Sequence, residues 1–182
     1  MPLFSRSTAF SRITNLAAQR PVHAAFAWMH TNSQVIMNWQ AALVAIPAPP
    51  FGEEARSKWA AARFADFGLS EVTVDAVGNV VGILPAAALP PESSGPVIVL
   101  SAHLDTVFPA ETTLTPVINR NGAALQLSAP GACDNAAGVA GMLAILHALL
   151  HAGVPLAAPL VVLANVGEEG EGDLRGVRHF YD

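Results

Sequence analysis

Val97-Ile98-Val99-Leu100-Ser101 leads into Ala102-His103-Leu104-Asp105-Thr106-Val107, and its first five residues decide the fold. The run is apolar without alternation, as expected of a strand buried on both faces. Leu160–Val166 repeats the pattern. Between the two, Ala136 to His151 places Val139, Met142, Leu143, Leu146 and Leu150 at helical spacing, and Gly153 and Pro155 stop it. Buried strands that alternate with helices predict an α/β fold with a mostly parallel central sheet flanked by helices.

Working outward, Pro116–Arg120 and Ala123–Ser128 bracket Asn121-Gly122, a strong hairpin signal. The three prolines of Ala86 to Pro96 predict a loop. Val72–Asp75 and Asn79–Leu84 read as strands on either side of a turn at Gly78-Asn79. Glu53 to Phe67 reads as an amphipathic helix with acids in its first turn and Gly68 as its cap. Residues 22–45 read as two helices split at Thr31-Asn32-Ser33, where the second can be capped. Residues 1–21, with Arg6, Arg12 and Arg20, several Ser/Thr and no acid, share the composition of a transit peptide but read first as a frayed or helical extension, and residues 22–182 as the domain.

The 182 residues suit about one domain. Nine Lys+Arg against fourteen Asp+Glu give a net charge of −5, which excludes the basic footprint of a nucleic-acid binder. Four of those acids crowd into residues 168–173. The single cysteine, Cys133, excludes an internal disulfide; with no basic neighbour to activate it, it reads as a small buried thiol. No uninterrupted apolar stretch reaches the length of a membrane span, so no membrane partner and a cytoplasmic location are expected.

Three polar clusters follow strands or open a helix. In an open α/β sheet, ligands bind beyond the carboxyl ends of the strands, and all three clusters fall at that edge. His103 and Asp105, two apart, project the same way from a strand end, so the carboxylate can hold one imidazole nitrogen and leave the other for a metal. A satisfied polar pair is the plainer reading. Asp134, between Gly131 and Gly138 where the backbone can turn sharply, taken alone reads first as a helix N-cap carboxylate. Adjacent Glu168 and Glu169 repel each other among Gly167, Gly170 and Gly172, and a bound cation would resolve the repulsion. One glutamate can then ligate while its neighbour moves a proton; a solvated acidic loop is the alternative. The same acids argue against a phosphate cradle.

In order, Ser101-Ala102-His103-Leu104-Asp105-Thr106-Val107-Phe108-Pro109, Gly131-Ala132-Cys133-Asp134-Asn135-Ala136-Ala137-Gly138 and Gly167-Glu168-Glu169-Gly170-Glu171-Gly172-Asp173-Leu174-Arg175-Gly176 resemble the dinuclear zinc metallopeptidases. That family includes carboxypeptidase G, tripeptidase (peptidase T), aminoacylase and succinyl-diaminopimelate desuccinylase. The spacings agree, with 31 residues from His103 to Asp134 and 34 from there to Glu168. Ile46 to Glu53 and Asp75-Ala76-Val77-Gly78-Asn79 match more weakly.

The resemblance implies two zinc ions, with cobalt or manganese as substitutes. His103 would ligate one, Glu169 the other, and Asp134 would bridge them through a cis bond to Asn135. Asp105 would stand behind His103. Glu168 would be the general base in hydrolysis of a peptide or an N-acyl amino acid by a zinc-activated water. The family takes a further carboxylate roughly two dozen residues beyond Glu169, a second histidine and a dimerising lid domain, whereas a catalytic zinc normally has three protein ligands. Residues 22–182 are accordingly expected to be the N-terminal part of a catalytic domain, with an incomplete sheet and little activity alone. His179 is expected at the surface rather than as a substitute ligand. The competing reading is a non-enzymatic α/β module that at most binds a divalent cation weakly.

Overall fold

A computed structural model describes residues 6–86, 96–122 and 124–182. Three helices come first: α1 (Arg6–Ala17), α2 (Arg20–Thr31) and α3 (Ser33–Val44). The break between α2 and α3 falls where expected, but Asn32 does not cap α3 through its side chain. Its amide instead donates to the Trp28 carbonyl at 2.8 Å, closing α2 behind it. Helix α4 (Glu54–Asp66) ends at Phe67, and Gly68 follows at φ +75°.

Strands β1 (Ser70–Val74), β2 (Val80–Leu84), β3 (Ile98–His103) and β6 (Leu160–Asn165) form one sheet in the order β1-β2-β6-β3. Strands β4 (Val117–Asn121) and β5 (Ala124–Ser128) form the expected hairpin as a separate two-stranded sheet. The loop expected over Ala86–Pro96 falls almost wholly outside the described residues. Helices α5 (Gly138–Ala152) and α6 (Arg175–Tyr181) complete the chain.

The α/β class holds, but the sheet is mixed rather than mostly parallel. Among the described residues only β3 and β6 run parallel; β1–β2 and β2–β6 are antiparallel. The connection Asp75–Asn79 is too short for a parallel crossover, which needs about a dozen residues or more. Strand β6 lies between β2 and β3 and is buried almost throughout, as its apolar run requires. Strand β3 is not buried on both faces. It is an edge strand with no outer neighbour among the described residues, and Ile98 is 59% exposed.

Helix α5 packs on β3 and on α2 and α3, and α4 packs on β1 and β2. Phe64, Leu43, Val80, Leu143, Leu146 and Val162 are the centre of the core. The span Ala132–Ala152 is long and apolar enough for a membrane crossing by composition, yet its inner face packs in this core. Gly153 at φ +61° ends α5, and Val154 returns its N–H to the Leu149 carbonyl at 3.0 Å.

One relationship positions the site. Strands β3 and β6 pair in parallel and in step, from Ile98 with Leu160 to His103 with Asn165. Their carboxyl ends therefore finish level, and the polar residues after each strand emerge side by side.

Candidate metal centre

His103 is the last residue of β3 and is 9% exposed. Its Nδ1 lies 3.1 Å from the Asp105 carbonyl oxygen, the contact of an Nδ1–H donor. That tautomer leaves the Nε2 lone pair facing Asp134 Oδ1 at 3.0 Å and Glu168 Oε2 at 3.9 Å. Two acceptors face each other there, and only a proton or a cation between them makes the approach favourable. Burial alone pulls the His103 imidazole down, but Asp105, Glu168 and Asp134 outweigh it and hold its pKa above the ordinary histidine value.

Asp105 is fully buried. Its carboxylate lies 3.6 Å from His103 Nδ1, so the expected grip on the imidazole is a long one. Its main partners are the backbone N–H groups of Glu168 at 3.0 Å and Glu169 at 2.8 Å. Burial pushes this carboxyl up, but His103 and those two donors more than offset it and hold its pKa low. The sequence reading placed Asp105 behind the histidine. Its stronger role is to fasten the glutamate loop to the end of β3.

Asp134 comes from a kinked helical turn, Ala132–Ala137, that precedes α5. At φ −109° and ψ 106° it interrupts the turn, its bond to Asn135 is cis, and its side chain caps nothing. The N-cap reading is thereby replaced by one in which a 73% exposed carboxylate reaches His103. In the same turn Ala132 and Ala136 are buried but Cys133 is not, so the expected buried thiol is exposed. Gln40 Nε2 holds the turn by donating to the Ala132 carbonyl at 2.7 Å.

Donor atoms of His103, Glu168 and Glu169 all lie within 4.8 Å of one another. Glu169 is held above the ordinary carboxylate range by partial burial and then by the charges of Asp134 and Glu168. A half-buried cluster of acids around one imidazole fits a divalent cation, which would relieve that crowding.

Behind the donors stands a frame that sequence reading missed. Arg56 is buried; its Nε donates to the Ile46 carbonyl at 2.8 Å and its Nη1 to the Leu104 carbonyl at 2.7 Å. Burial pushes its pKa down to about 10, with Asp105 opposing. Asn79, buried, accepts the Val166 N–H at 3.1 Å and donates to the Gly176 carbonyl at 2.8 Å, fixing the exit of β6. Arg175 Nη2 donates to both carboxylate oxygens of Glu53 at 2.7 Å, and its guanidinium lies 4.8 Å over the Phe51 ring. His179 is at the surface, as expected, with Asp75 as its charged neighbour at 3.8 Å.

Residues 99–182 match the model of peptidase family M20/M25/M40. The matched segment runs from β3 to α6 and holds all five residues of the expected site. The resemblance drawn from the three motifs is borne out. No curated protein matches the chain.

Among solved structures, the chain is similar to a tripeptidase from Staphylococcus aureus, with TM-score 0.61 and 22% identity over 79% of this chain and 41% of that one. Aminopeptidase PepT from Bacillus cereus gives TM-score 0.61 and 23% identity over 76% and 38%. An aminoacylhistidine dipeptidase from Vibrio alginolyticus gives 0.56 and 24% over 75% and 28%. These likenesses establish the fold, and the chain spans at most about two-fifths of the length of these three proteins.

Proposed function

We propose that residues 22–182 form part of the catalytic domain of a metal-dependent hydrolase that cleaves a peptide or N-acyl amide bond. The convergence of His103, Glu168 and Glu169 donors within 4.8 Å, with Asp134 against His103, carries the reading. The M20/M25/M40 match over the segment that contains them supports it. His103, Asp134 and Glu169 would hold two zinc ions, or cobalt or manganese, with Asp134 shared. Such an ion supplies Lewis-acid polarisation of the scissile carbonyl and lowers the pKa of water.

The chain's own residues do the rest. Glu168, with its side chain 39% exposed, keeps a carboxylate oxygen free to take a proton from the attacking water and pass it to the leaving amine. Asp105 fixes that carboxylate's backbone and so sets its reach. A second reading, in which Glu168 is itself a ligand, is favoured by its place among the three converging donors.

Zinc titration of the purified chain separates these readings. His103→Ala and Glu169→Ala should each weaken binding about tenfold or more, while Glu168→Ala should bind zinc like the wild type. Equal loss in all three variants makes Glu168 a ligand and ends its assignment as base. No zinc binding by the wild type ends the metal reading for this chain.

A further inference from the structure

We propose that α1 is a docking helix for an anionic lipid surface, a role independent of the hydrolase site. Every side chain from Thr8 to Leu16 is exposed. Phe10, Ile13 and Leu16 are 72%, 67% and 54% exposed, among the most open large apolar residues of the described chain. At the angular step of a helix, Ala9, Phe10, Ile13, Leu16 and Ala17 share one arc of about 120°. Thr8, Ser11, Thr14 and Asn15 take the other side. The helix is amphipathic, and its apolar side faces water.

A twelve-residue helix that buries so little is marginal in water, so its apolar arc calls for a covering surface. The charge says which kind. Residues 1–52 contain Arg6, Arg12 and Arg20 and neither Asp nor Glu, although the whole chain is at −5. Arg12 is exposed at the border of the apolar arc, Arg6 opens the helix at a position that falls within the same arc, and Arg20 opens α2. The acids are gathered elsewhere, so this segment is the positive part of an acidic protein.

Large apolar side chains on one arc, with arginine at its edge and at its N-terminal end, suit a lipid interface. The arc enters the boundary between headgroups and acyl chains, and the guanidinium stays at the level of the phosphates. Peripheral docking needs no spanning segment, which was the ground for expecting no membrane partner.

The test uses the full chain and sedimentation with phosphatidylcholine vesicles, with or without about one-third phosphatidylserine. Binding should require phosphatidylserine and weaken with salt. Phe10→Glu/Ile13→Glu should lower the apparent affinity about tenfold or more, and Arg12→Glu severalfold, with circular dichroism and Tm unchanged. Equal binding to both vesicles, no binding to either, or wild-type binding by the double variant overturns the proposal. So does a dimer that the double variant abolishes in the absence of vesicle binding, which would assign the face to a second copy.

Discussion

Asp105 accepts the backbone N–H of Glu169 at 2.8 Å across 64 positions of sequence, and through this bond the end of β3 holds the loop after β6. The same carboxylate accepts the Glu168 N–H, so one buried acid sets the position of both glutamates. Removing it leaves two donors without their partner. Asp105→Ala should destabilise the chain by about 2–4 kcal/mol, measured by urea unfolding, since hydrogen bonds to charged groups contribute more than neutral ones. Zinc affinity should fall about 10–100-fold even though no ligand is touched. Wild-type zinc affinity in a folded Asp105→Ala chain would show that the glutamates hold their places without it.

The ion pair of Glu53 with Arg175 joins the approach to α4 to the start of α6. Glu53 is 4% exposed, so Arg175→Ala would strand a buried carboxylate. A loss of about 3–5 kcal/mol is expected. Glu53→Gln/Arg175→Met, which removes both charges, should recover much of it. A double variant as unstable as Arg175→Ala would place the cost in lost packing over Phe51 instead.

The donors were legible because each stands in a short string beside a strand or helix that the sequence marks clearly. Parallel, in-step pairing of β3 with β6 then brings two of those strings together at the carboxyl edge where the clusters were expected. The frame was not legible. Glu53 read as a first-turn helix acid and Arg175 as part of a glycine-rich loop, and they meet across 122 positions. Asn79 read as a turn residue, and its partners at Val166 and Gly176 depend on how β2 and α6 come to lie. Cys133 stands between buried Ala132 and the site-facing Asp134, and its exposure shows that an apolar, unactivated thiol in a turn need not face the core.

His147 stacks on Trp28 at 4.3 Å and meets the Phe67 ring edge-on at 5.1 Å, with a buried Nδ1 that has no partner. Burial and then the neighbouring His151 hold its pKa below the ordinary histidine value. The unfolded chain therefore binds the extra proton more readily. The contribution of neutral His147 is complete above about pH 6.5 and is lost as the pH falls from there through its folded pKa. His147→Phe keeps a flat ring in the stack without the proton. The drop in Tm between about pH 7.5 and 5.5 should be smaller in this variant than in the wild type. An unchanged drop would assign acid sensitivity to other groups.

The glycines of the acidic loop have a packing explanation that needs no phosphate. A Cβ at Gly172 would lie 2.6 Å from the Gly167 backbone, and one at Gly176 would lie 2.7 Å from the Val166 nitrogen. Both neighbours are main chain within two residues of Glu168 and cannot swing aside as a side chain can. Gly141, inside α5, has nothing within 4 Å of the same position. Gly172→Ala and Gly176→Ala should each destabilise by about 1–3 kcal/mol or more and weaken zinc binding by displacing the glutamates. Gly141→Ala should instead stabilise by about 0.5–1 kcal/mol through helix propensity and leave zinc affinity unchanged. Urea unfolding and zinc titration of the three variants decide it. If Gly172→Ala matched Gly141→Ala in both, close backbone approach would not be what the loop requires of its glycines.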